Sequence, residues 1–159
     1  MGSAILSEAI LTVAVVVAGA LVAQTFVVSL SEMQYSSGLA MRDFGKKINT
    51  AVQIIYATNT TPTNVTLWVK NVGSLSFNPQ LIRMCDILLL SPEGVTHYSY
   101  SNSGTGWTYR ILNGEDEKWD YGETLEVNLS VSSHLQAGDY TVIFVTYNGV
   151  SSEYSFTVG

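Results

Sequence analysis

Apolar residues follow three successive patterns along this chain of 159 residues. Between Glu8 and Glu32 lie 23 uncharged residues, mostly Ala, Val, Leu and Ile. As a helix that run spans about 35 Å, against about 30 Å for the hydrocarbon core of a bilayer. After Glu32 the residues Met41, Phe44, Ile48, Ala51 or Val52, and Ile55 recur at spacings of three and four, with Arg42, Asp43, Lys46 and Lys47 on other faces. Such a narrow stripe predicts that the helix continues as an amphipathic stalk, weakened at Gly38 and Gly45 by about 1 kcal/mol each relative to Ala. The Thr/Asn cluster around Pro62, TNTTPTN, breaks the helical period and marks a linker at 58–63.

Beyond the linker the period falls to two. Short alternating runs, NVTLWVK, DILLLS, THYSYS, GWTYRIL, ETLEVNLSV, DYTVIFVTY and SSEYSFTV, are separated by turn-rich stretches such as SPEG, SNSGTG and QAGD. With no helical period among them, these strands predict an antiparallel β sandwich of immunoglobulin-like type over residues 64–159. Asn148-Gly149 reads as a tight hairpin turn in which Tyr140, Val142 and Phe144 share a core face with Tyr154, Phe156 and Val158. The layout is therefore α+β: a long N-terminal hydrophobic helix and stalk over 1–57, a linker, and an all-β sandwich.

The apolar run has no Lys or Arg before it, is long for the core of a secretory signal and ends in no small-x-small cleavage site, so it is expected to be retained. Ala14 with Ala18, and Gly19 with Ala23, are small residues four apart that let helices approach closely in a membrane or a filament core. The plainer account is that Ala and Gly are common in such helices. The stripe of Met41, Phe44 and Ile48 suits either a sister helix or the chain's own β domain.

Charge narrows the function. Only 13% of residues are charged, with a net charge of −6, and the few basic residues do not form the clustered patch that nucleic-acid binding requires. Cys85 is the single cysteine, which excludes an intrachain disulfide and a thiolate metal site. His97 and His134 have no second ligand at metal spacing, and the acidic stretch Glu115, Asp116, Glu117, Asp120, Glu123 lacks the D-x-D-x-D-G spacing of a calcium loop; a solvated loop is expected. Ser132-Ser133-His134 comes without a nucleophile elbow, and no glycine-rich phosphate loop occurs. No catalysis, metal or cofactor is expected.

Trp68, Trp107 and Trp119 are expected in the core or in strand pairing, with sugar stacking as the alternative. Asn59, Asn64 and Asn128 open N-x-S/T sequons and are candidate N-glycosylation sites, which would put the sandwich outside the cell. Arg42, Lys46 and Lys47 after the span argue for the opposite orientation by the positive-inside rule. The low charge of the sandwich decides the reading for export.

Three segments carry a family resemblance: Ser3, Ser7, Glu8, Ile10 and Leu11 in an opening S-x-x-x-S-E-x-I-L; MRDFGKKINTAVQII at 41–55; and LWVKNVGS at 67–74. With them the whole chain resembles the archaeal type IV pilin-like proteins, a group that includes archaellins and the archaellum accessory subunits. It is most similar to the FlaG-type accessory (stator) subunits. The resemblance implies a membrane-anchored structural protein of archaeal motility, with its sandwich in the pseudoperiplasm. The implied partners are further copies of itself, a FlaF-like sister subunit and, through that, the S-layer. Glu8 would become the fifth residue only if cleavage fell between Ser3 and Ala4. No basic leader precedes the run, which favours an unprocessed accessory subunit over a filament-forming archaellin or pilin. A membrane-tethered binding module is a third reading.

Overall fold

The computed structural model describes the backbone of residues 2–159 and the side chains of residues 7–159. It divides into two compact units, Met1–Phe44 and Gly45–Gly159. The first is helix; the second holds the last turn of that helix and the whole β domain.

Helix α1 runs over Gly2–Asn49. Its apolar part contains an 18-residue window of mean hydropathy 2.3, long and apolar enough to cross a membrane. Within it the hydroxyls of Thr12, Thr25 and Ser31 donate to the carbonyls of Glu8, Val22 and Val27 at 2.8, 2.8 and 3.0 Å. These bonds satisfy the polar groups inside the helix itself, as an apolar surrounding demands. Lys46 and Lys47 in the last turn complement the helix dipole, and Thr50 closes the end by donating from Oγ1 to the Lys46 carbonyl at 2.8 Å.

The helix therefore stops earlier than its apolar spacing predicts. Residues expected in the stalk and linker form the first strand, β1, Val52–Thr61. Val52, Ile54 and Ala57 are buried, and a bulge between Ile54 and Tyr56 turns Ile55 and Tyr56 outward together. That bulge spaces the buried positions by two and three, and Ile55, which continued the helical stripe in the sequence, is exposed. Pro62 occupies the turn of a β hairpin instead of an interdomain linker.

Seven further strands follow: β2 Asn64–Asn71, β3 Asp86–Ser91, β4 Gly94–Ser99, β5 Gly106–Ile111, β6 Thr124–Ser130, β7 Gly138–Val145 and β8 Ser151–Val158. A short helix, α2 Pro79–Arg83, precedes β3, started by Asn78, whose Oδ1 accepts from the Leu81 amide at 2.9 Å. The strands form two antiparallel sheets in the orders β1-β2-β6-β5 and β4-β3-β7-β8. Lettered in chain order with β4 as C′, these are the A-B-E-D and C′-C-F-G sheets of an immunoglobulin-like sandwich. Tyr140, near the start of β7, adds the tyrosine corner of that fold: its hydroxyl accepts from the Gln136 amide and donates to the Gln136 carbonyl, both at 3.0 Å.

Inward residues of both sheets, among them Leu67, Val127, Ile87, Val142 and Phe144, make one core with Trp107 and Trp119 fully buried in it. The β7–β8 pair aligns Tyr140 with Phe156 and Val142 with Tyr154, so the expected core face is present. Its turn is longer than the two residues expected. Strand pairing ends at Val145 and Ser151, and only Gly149 has positive φ, at 82°. Asn148 instead donates from Nδ2 to the Thr50 hydroxyl at 2.8 Å, fastening the turn to the end of α1.

Candidate assembly surfaces

The segment 67–74 ends at a buried junction. Asn71 is fully buried, and its Nδ2 donates to the carbonyls of Leu75 and Trp119 at 2.8 and 3.1 Å while its Oδ1 accepts from the Gly73 amide at 3.0 Å. Gly73 lies so close to the exit of α1 that a Cβ there would overlap the backbone of Ala51 and Asn49. The amides of Val72 and Gly73 both donate to the Ala51 carbonyl at 2.9 Å. The asparagine and glycine of the V-K-N-x-G-S stretch thus serve one purpose: they hold the strand-end loop against the residues that follow the helix. Sequence reading singled out the stretch as a resemblance and missed this role, although an apolar strand ending in Asn-x-Gly is itself a signal of a tight backbone approach.

Along α1 the expected packing residues Ala14, Ala18, Gly19 and Ala23 are all exposed, with the two members of each small pair adjacent on the helix surface. Met41, Phe44 and Ile48 are 77%, 65% and 65% exposed, and Arg42 and Lys47 stand on opposite shoulders of that stripe at 100° per residue. Of the opening motif, Ser3 and the Ser3–Ala4 bond lie outside the residues whose side chains are described.

The two outer faces of the sandwich differ. On β1-β2-β6-β5 the outward row Thr58, Thr66, Asn128, Thr108 runs beside Tyr56, Trp68, Glu126, Arg110. Arg110 Nη2 pairs with Glu126 Oε2 at 2.9 Å, which holds the Glu126 carboxyl below its ordinary range, and the Trp68 ring stacks on Tyr56 at 5.8 Å. This is an ordinary solvated antiparallel face. On the other sheet Leu88, Leu90, Ile143 and Val145 point outward, half-buried, beside Val95, which is 65% exposed. Around them stand Asp86, Asp139 and Glu153. His97 Nε2 meets Asp86 Oδ1 at 2.8 Å, and Asp139 accepts from the Thr157 hydroxyl at 2.7 Å.

The remaining candidate residues are dispersed. Asn59 and Asn64 are half-buried near the β1–β2 turn, and Asn128 is exposed with its Oδ1 accepting from the Thr66 hydroxyl at 3.0 Å. Acidic-loop carboxylates bond their own backbone: Asp116 accepts from the Lys118 amide and Glu123 from the Asp120 amide, both at 2.8 Å. Among the described residues no group of three or more His, Cys, Asp and Glu side chains converges as a metal site. Burial pushes the Cys85 thiol up to about 12. The Trp119 indole donates to the Glu123 carbonyl at 3.0 Å, whereas the buried Trp107 Nε1 has no hydrogen-bond acceptor and the indole lies edge-to-face with Tyr100 at 5.4 Å.

A family model of archaeal-type flagellin matches residues 2–156. An uncharacterized protein of Archaeoglobus fulgidus is 32% identical over 99% of both chains. Among solved structures, the archaellum periplasmic stator protein FlaG of Sulfolobus acidocaldarius aligns at 27% identity and a TM-score of 0.56, covering 67% of this chain and 99% of that one. A chain of the archaellum periplasmic stator protein complex of FlaF and FlaG, from the same organism, aligns at 26% identity and the same TM-score, over 66% of this chain and 87% of that one.

Proposed function

The chain belongs to the archaeal-type flagellin family, and from that premise we propose that it is a structural, FlaG-like stator subunit of the archaellum. In this reading α1 anchors the chain in the cytoplasmic membrane and the sandwich stands outside it. The sandwich associates with further copies and with a FlaF-like sister subunit that connects to the S-layer. The observation that carries the reading is the likeness of 67% of the chain to the stator protein FlaG at 27% identity. A helix with one uncharged run of membrane length, ending in a stalk and a rigid sandwich, has the parts a stationary tether requires. The sequons, if occupied, add glycans on the exported domain.

Deleting the gene leaves cells unable to swim in this reading, and restoring it returns motility. Normal swimming of the deletion strain would end the proposal. The family match itself favours a second reading, a filament subunit, because its description is that of the filament protein. Mass spectrometry of the mature amino terminus separates the two: a terminus at Ala4 supports the filament subunit, and an unprocessed terminus supports the stator.

A further inference from the structure

Strands solvated on one face alternate in polarity, whereas strands covered on both faces are apolar throughout. In this sandwich β2 and β6 alternate, but β3 reads ILLL and β7 reads VIFV without interruption. The inward members, Ile87, Leu89, Val142 and Phe144, fill the core. The outward members form a contiguous apolar strip across β4-β3-β7 with nothing of this chain's own β domain over it. A cover is therefore written into the strands.

Charge says what the cover is. Strands β3, β4, β7 and β8 contain no Lys or Arg, and the strip is bordered by Asp86, Asp139 and Glu153, with His97 the one side chain there able to carry positive charge. Two copies placed face to face would bring these carboxylates together. The chain does hold an exposed apolar strip in net positive surroundings: Met41, Phe44 and Ile48, flanked by Arg42, Lys46 and Lys47 against the single acid Asp43. The stalk from Glu32 to Asn49 is about 26 Å long. That matches six to eight residues of strand at about 3.3 Å each.

We propose that the outer face of the β4-β3-β7-β8 sheet receives the stalk of a second copy, with Met41, Phe44 and Ile48 on Leu88, Leu90 and Ile143, and the flanking bases against Asp139 and Glu153. The contact joins two different surfaces, so each copy keeps one stalk and one face free and the assembly propagates as an open row. The inference rests on the self-association in the reading above and states which surfaces make it.

Cysteine cross-linking of the full chain in its native membranes tests it against a quiet background, because Cys85 is buried. Phe44→Cys with Ile143→Cys is expected to give a ladder of disulfide-linked dimers, trimers and higher species, and neither single variant a ladder. Asp139→Lys with Glu153→Lys should abolish that ladder, and adding Arg42→Glu with Lys47→Glu should restore it. A dimer from Ile143→Cys alone means face-to-face pairing and overturns the proposal. So does a disulfide within one chain, or protection of Ile143→Cys from maleimide only when the sister subunit is present. A chain that self-associates by mass yet gives no ladder overturns this contact while leaving the stator reading standing. A chain that stays monomeric overturns both the contact and the self-assembly.

Discussion

At the scale of single residues, the least replaceable groups are polar ones with no water to fall back on. Asn71 satisfies two carbonyls and one amide from a position with no solvent exposure. Asn71→Ala strands those groups and is expected to cost about 2–4 kcal/mol, read as a lower denaturant midpoint with little change in slope. Cys85 makes a prediction about pH. Its folded pKa of about 12 lies well above the ordinary range of a cysteine thiol because burial disfavours the thiolate. The contribution is thus fully present below pH 9 and is lost as pH rises toward 12, where the unfolded chain gains the thiolate that the folded one resists. Cys85→Ala should flatten that alkaline loss in stability measured from pH 8 to 11. Equal slopes for both proteins would assign the loss to other groups.

At the scale of elements, one boundary separates what the sequence shows from what it hides. The alternation of β6 and β8 is legible because polar and apolar residues take turns along them, and β3 and β7 are legible as short apolar runs between turns. β1 is not, because a bulge resets its alternation directly after a stripe of helical spacing, and the two patterns join without a break. What the spacing does not carry, the residue types do: Val52, Ile54, Ile55, Tyr56 and the threonines that follow are strand formers. The candidate assembly surfaces were half legible. The exposed stripe at Met41, Phe44 and Ile48 follows from spacing alone. The apolar outer face of β3 and β7 needed the sheet order, since a run such as ILLL can equally lie in a core. The boundary has a direct consequence. A fragment of residues 45–159 retains β1 and should unfold cooperatively, whereas one beginning at Asn64 leaves Val65, Leu67 and Val69 without a neighbour on the β1 side and should be insoluble or molten. Circular dichroism and thermal melts of the two distinguish them. Within the intact sandwich, Tyr140→Phe removes both bonds of the tyrosine corner and is expected to cost about 1–2 kcal/mol.

For the whole molecule, two rules of orientation oppose each other. Arg42, Lys46 and Lys47 follow the apolar run and favour a cytoplasmic stalk. A charge-poor surface rich in Ser and Thr suits the exterior. The positive-inside bias is strongest for short loops and weakens for long translocated domains, and here more than 100 residues follow the span. In the stalk contact proposed above the bases have a second use beside the stalk stripe, which accounts for their presence independently of topology. Export is therefore the expected outcome. Thr105 is exposed in the loop between β4 and β5, off the strand face proposed above to be covered. Thr105→Cys places a reactive thiol there while Cys85 stays buried. A membrane-impermeant maleimide should label this variant in intact cells as fully as in lysed ones. Labelling only after lysis would put the sandwich in the cytoplasm, where it could hold no external frame against a rotating filament, and the stator reading would fall with it.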